Sequence, residues 1–158
     1  MLYDAVLLAA DELMRKQSGR KALILLTDGV DTGSKVSLSS AIEAAQRADT
    51  LVYAILFEDP QAYGGGFGIG RSRVPMSMPN GRKVLEQISR ETGGRFFEVS
   101  KKHPLAKVYD EIDEDLRHQY SLGYSPDRTE AGGGYHRIRL TTKEKGLIVQ
   151  TREGYYGA

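Results

Sequence analysis

Apolar residues recur at helical spacing from Leu2 to Gln17, at Leu2, Val6, Ala9, Ala10 and Leu13, and Ser18-Gly19 closes the stretch, so a helix is predicted there. The run Ala22-Leu23-Ile24-Leu25-Leu26 is continuous and too short for a helix. It predicts a strand covered on both faces of a parallel sheet. Ser37 stands where an N-cap belongs, ahead of Leu38, Ala41, Ile42 and Ala45 on one side of a second helix. Leu51 to Phe57 is again apolar throughout and predicts a second buried strand. After a Gly-, Pro- and Ser-rich loop from Glu58 to Pro79, expected to be mobile, Asn80 is placed to cap a helix through Val84, Leu85 and Ile88 that Gly93-Gly94 ends. Arg95 to Val99 reads as a third strand, nearer an edge. Pro104 opens a last helix bearing Leu105, Val108, Tyr109, Ile112 and Leu116.

Strand and helix thus alternate without a break, which predicts right-handed crossovers and a mainly parallel sheet with helices on both faces, a three-layer α/β architecture. Past Gln119 the pattern changes to short strands, Tyr120 to Ser125, Tyr135 to Thr142 and Leu147 to Arg152. The last two are joined by Lys143-Glu144-Lys145-Gly146, with Gly where a positive φ is needed. The division expected is an α/β domain over 1–119 and an antiparallel β extension over 120–158.

Composition narrows the function classes. With 22 Lys plus Arg against 21 Asp plus Glu, the net charge of +1 leaves no electrostatic footprint for nucleic acid. No apolar run approaches a bilayer span, and 40% hydrophobic content argues for a packed core. The absence of cysteine removes disulfides, thiolate metal sites and thiol nucleophiles without fixing a compartment. The first residues carry no signal-peptide pattern. An amphipathic segment starts at the first residue, so the chain is expected to be the interior of something longer.

Ligands of open parallel sheets sit beyond the carboxyl ends of the strands, and Thr27-Asp28-Gly29-Val30-Asp31-Thr32 occupies such an end. A carboxylate there, with Gly29 freeing the backbone, suits a hard cation bound directly or through water. A plain acidic turn uses the same residue types and stays an equal alternative.

Four segments carry a resemblance. Leu2-Tyr3-Asp4-Ala5-Val6, Ala22 to Thr32, Gln119-Tyr120-Ser121-Leu122-Gly123-Tyr124 and Arg152-Glu153-Gly154-Tyr155-Tyr156 together resemble the von Willebrand factor type A (VWFA) domain in its bacterial form, across nearly the whole chain. The resemblance implies a metal-ion-dependent adhesion site made of an Asp-x-Ser-x-Ser loop, a distant Thr and a later Asp, holding Mg²⁺ (or Mn²⁺ or Ca²⁺) and engaging a carboxylate of a protein ligand. Asp28 matches the later Asp, which often binds through water, with Thr27, Gly29 and Asp31 as neighbours. The other two parts have no counterpart here, so an incomplete, N-terminally truncated domain with weak or no cation binding is expected. Relatives of this type are often exported, which makes an extracytoplasmic parent an expectation as well.

Rival readings use the same residues. A haloacid dehalogenase-type phosphatase needs Asp-x-Asp after its strand, but position 30 is Val and Asp31 comes one residue late. A metal-dependent hydrolase using Asp28 and a scaffold without a ligand site remain the alternatives to a non-enzymatic binding module. Gly64 to Gly70 lacks dinucleotide or Walker spacing, Arg71-Ser72-Arg73 is an isolated basic pair, His103 reads as a helix cap, and His118 and His136 belong to no ligand motif. Tyr120, Tyr124, Tyr135, Tyr155 and Tyr156 favour packing of a small sheet over a recognition face. The bare side of the strand Ala22 to Thr27 predicts a homodimer, through that edge or by exchange of C-terminal strands, or else cover by the chain's own C-terminal strands.

Overall fold

The structure, a computed structural model, describes residues 1–57, 81–124 and 134–157. The predicted loop from Glu58 to Pro79, with its glycine run and Arg71-Ser72-Arg73, lies outside the described residues, as does the cap at Asn80. The elements in chain order are α1 (Leu2–Leu8), β1 (Lys21–Thr27), α2 (Leu38–Arg47), β2 (Thr50–Leu56), α3 (Gly81–Thr92), β3 (Phe96–Glu98), α4 (Leu105–Arg117), β4 (Tyr135–Arg137) and β5 (Gly154–Tyr156). The first predicted helix is regular only to Leu8. It continues as a wider π-turn over Ala9–Leu13 and a tight 3₁₀ turn over Met14–Lys16.

A parallel sheet of order β1-β2-β3 is the centre of the fold, with Leu23 opposite Val52 and Ile55 opposite Phe97 in register. Alternation along β2 divides the core. Val52 packs with Ala10, Ile42, Ala45, Val84 and Ile88, drawing in Leu23 and Leu25, while Ala54 and Leu56 meet Leu85. Tyr53 and Ile55 point the other way and pack with Phe97, Val108 and Ile112. Period-2 alternation in β2 and 3.6-residue spacing in the helices thus produce matching apolar surfaces. Ser37 caps α2 as expected, its hydroxyl accepting the Ser40 N–H at 3.1 Å.

Two features of the core depart from the sequence reading. β1 is not covered on both faces: Leu23 and Leu25 are packed, but Ile24 and Leu26 on the opposite face are 39% and 47% exposed. α4 packs over Tyr53, Ile55 and Phe97, and from β1 only Ala22 reaches the border of that cluster. An apolar run specifies a strand and leaves open how many neighbours cover it. His103 is likewise no helix cap. Its N–H bonds Ser100 within a turn, and its ring meets Glu111 at 2.8 Å, two turns into α4. Arg95 ties β3 to the same helix, 2.9 Å from Asp115 and 3.3 Å from Glu111, with its guanidinium over Phe97.

Of the predicted C-terminal strands, Tyr135 to Thr142 is cut down to β4, whereas Leu147 to Arg152 is not a strand and the partner of β4 lies after it, at β5. β4 and β5 are antiparallel, with Tyr135 opposite Tyr156 and Arg137 opposite Gly154, and the ladder continues through the Ile138 N–H to the Glu153 carbonyl at 2.8 Å. Extending that register places the hairpin apex at Lys145-Gly146, inside the predicted turn, and Gly146 has φ +90°. Between the base and the apex no strand is assigned: Leu147 and Ile148 are 60% and 95% exposed, so neither face is buried to fix the pairing. Tyr120 to Tyr124 is not a strand either, and Ser125 lies outside the described residues. The hairpin rests on the helices instead, through Arg152 to Asp49 at 2.6 Å, Arg90 to Glu153 at 2.8 Å and Arg47 over the Tyr156 ring.

Candidate functional site

The loop after β1 is built from its shortest-range bonds outward. Asp28 Oδ1 accepts the Val30 N–H at 3.0 Å, and Thr27 Oγ1 accepts the Gly29 N–H at 3.2 Å, two side chains folding the backbone two residues on. Gly29 sits at φ +75° with its Cα face pressed on the backbone of Gly81, the first residue of α3. No side chain fits between them. Asp28 and Gly29 are thereby fixed against the start of α3 at the carboxyl end of the sheet, where the sequence placed a ligand.

Asp31 does something else. Its Oδ1 accepts the Leu2 N–H at 2.6 Å, the Tyr3 N–H at 3.3 Å and the Ser34 hydroxyl at 2.6 Å, while Oδ2 accepts the Ser34 N–H at 3.2 Å. It is the N-terminal cap of α1, delivered from a loop far along the chain. Burial pushes this carboxyl up, but the Ser34 hydroxyl and the Ser34 and Tyr3 N–H groups outweigh that and hold it well below the usual carboxylate range. The phenol of Tyr3 is pushed up by its own burial and by the Asp31 charge beside it. The arrangement is reciprocal: Asp4 in the first turn of α1 accepts the Lys35 and Val36 N–H groups at 3.0 and 3.1 Å. Ser34 Oγ accepts the Asp4 N–H at 3.3 Å.

Of the four residues singled out in the sequence, Thr27, Asp28 and Gly29 form one turn, and Asp31 belongs to a different job three residues on. Its carboxylate is committed to backbone donors, and those donors suit an anion in that place rather than a ligand sphere. Among the described residues no three His, Asp or Glu side chains gather as a metal-ligand set. Mg²⁺, Mn²⁺ and Ca²⁺ prefer six or more oxygens, and of the two carboxylates in this loop Asp31 is turned to the Leu2, Tyr3 and Ser34 donors. Asp4 and Ser34 were missed by the sequence reading. The Asp31-x-x-Ser34 spacing is a capping signal, but the helix it serves begins 29 residues earlier, out of reach of any local pattern.

The other candidates stay apart. His118 Nδ1 lies 3.0 Å from the Glu114 carbonyl, His136 stacks on Tyr155 with centroids 5.1 Å apart, and His103 is held by Glu111. Tyr135 and Tyr156 pack against each other within the hairpin, and Tyr124 meets Tyr155 edge-on, whereas Tyr120 is 94% exposed. Comparison of the chain with known protein families, curated proteins and solved structures gave no match.

Proposed function

We propose that this chain is a non-enzymatic protein-binding module of the VWFA type, a three-layer α/β fold that meets a protein ligand at the carboxyl end of β1. The observation that carries the reading is the loop 27–37, which joins that end of β1 to the beginnings of three helices. It caps α1 through Asp31, supplies the N-cap of α2 through Ser37, and abuts the first residue of α3 through Gly29. This is where open parallel sheets take their ligands, and the loop's own hydrogen bonds and its contact with α3 hold the turn that carries Asp28. The adhesion chemistry implied by the resemblance needs more cation ligands than Asp28, and Asp31 is spent on α1.

Cation binding by the chain itself is accordingly weak. Calorimetric titration with Mg²⁺ or Mn²⁺ is expected to give no saturable heat in the micromolar range, because one carboxylate leaves nearly all of an octahedral shell to water. Micromolar affinity that survives Asp28→Ala would overturn both the weakness and the assignment of Asp28. The hydrolase alternative has its own signature: Mg²⁺-dependent turnover of a phosphate monoester that Asp28→Asn abolishes. No turnover is expected.

A further inference from the structure

We infer that the cleft between α2, α3 and the C-terminal hairpin binds a zwitterionic α-amino acid with an apolar side chain. The cleft holds about 260 Å³, just below the range that takes drug-sized molecules. The hairpin register shapes its outer wall. Tyr135 and Arg137 project from one face of β4, opposite Tyr156 and Gly154 of β5. A Cβ at Gly154 would lie 2.5 Å from the end of the Tyr135 ring, so that ring rests over the bare glycine and packs on Tyr156, 5.1 Å between centroids. Arg137 lines the cleft beside them with no ion pair or hydrogen bond among the described residues.

The helix wall has the opposite character. Gln46 is only 6% exposed, and its Nε2 donates to the Glu91 carbonyl at 2.8 Å, which fixes the orientation of the amide. Its Oε1 stays open to the cleft as an acceptor without a partner among the described residues. Glu91 Oε1 accepts from Gln87 Nε2 at 2.8 Å. The neighbouring guanidinium, Arg90, is 4.0 Å away and bonded to Glu153 at 2.8 Å instead. Burial comes first in pushing the Tyr156 phenol up, and Glu43, Tyr135 and Glu91 add to it against the pull of Arg47, so acidic charge reaches into the cleft.

One free guanidinium on the hairpin and a set of acceptors on the helices select a ligand by charge. A carboxylate suits Arg137, whose planar fork matches it with two bonds. An ammonium brings three donors and suits Gln46 Oε1 and the Glu91 carboxylate on the other wall. A molecule with both groups on one carbon satisfies the two walls together, whereas a simple anion also meets Glu91 and a simple cation also meets Arg137. Ile42 in the floor and the Tyr135 ring receive an apolar side chain. None of these residues belongs to the loop 27–37, so the inference stands or falls apart from the ligand reading of that loop.

A thermal-shift screen of the common L-amino acids, followed by calorimetry on those that respond, tests the site. For a dissociation constant of about 1 mM, the ligand at about 10 mM is expected to raise the melting midpoint by roughly 3–5 °C, with leucine and amino acids near it in size responding. Isopentylamine, which is leucine without its carboxylate, is expected to bind at least tenfold more weakly than leucine, the carboxylate's bonds to Arg137 being charge-assisted. Arg137→Gln is expected to weaken leucine about tenfold and to leave the amine within about twofold. Because Arg137 is exposed and unpartnered, this variant should melt with the unmodified chain. Glu91→Gln is expected to weaken both ligands. No saturable binding by any of the amino acids, an amine that binds as tightly as its amino acid, or an Arg137→Gln variant that binds leucine as the unmodified chain does, overturns the inference. If Glu91→Gln loses its circular dichroism signal, Arg137→Gln and the amine decide alone.

Discussion

A Gly29→Ala variant is expected to lose roughly 2–5 kcal/mol of stability, the sum of a left-handed backbone and an overpacked contact. The residue holds φ +75°, and a methyl group there runs into the carbonyl of Gly81 at the start of α3. Both atoms in that collision are fixed to backbone, so no rotamer relieves it. For a chain of this size the thermal midpoint should fall by on the order of 10 °C, read by circular dichroism. Gly81→Ala intrudes on the same contact from the other side, against the Asp28 carbonyl. The double variant should therefore cost less than the two single losses added together, since the first has already parted the two segments. A loss below about 1 kcal/mol for Gly29→Ala would mean that the loop after β1 moves freely off α3.

Asp31→Ala should cost about 3 kcal/mol, because it removes a charged cap and leaves two part-buried helix N–H groups without an acceptor. Its pH signature separates it from a generic defect. The folded carboxyl titrates below its unfolded value, so the unfolded chain binds the proton more readily and stability rises with pH through that window. The contribution is complete above the unfolded carboxylate range of about pH 4 and is lost as pH falls below it toward the folded value. Denaturant melts from pH 5 downward should show the unmodified chain losing its advantage over Asp31→Ala through that window. A constant difference between the two would place the stabilising role of this residue in packing rather than in charge.

Much of the architecture could be read from the residues alone. β2 and the helices around Ile42, Val84 and Val108 were legible because each carries a complete burial pattern, period 2 or 3.6, whose partners lie in neighbouring elements. β1 was legible as a strand but not as one with an open face, since Ile24 and Leu26 are apolar whether or not anything covers them. The hairpin apex at Gly146 followed from turn chemistry, while Leu147 to Arg152, expected as a strand, is none, because Leu147 and Ile148 have the composition of a strand without a surface to bury. At the candidate site, sequence placed Asp28 and Gly29 correctly at a strand end. It grouped Asp31 with them by proximity, although that carboxylate serves donors that only the folded chain brings near.

The exchange of carboxylates between α1 and the loop 31–36 also governs how the molecule opens. A helix end frays at almost no cost when its first amides face water. Here the first turn of α1 cannot lift unless Asp31 gives up Leu2 and Tyr3 while Asp4 gives up Lys35 and Val36, in segments about 30 residues apart along the chain. Two stretches that would each be loose alone become one cooperative latch. Residues 2–4 are thereby bonded to the same loop that carries Asp28.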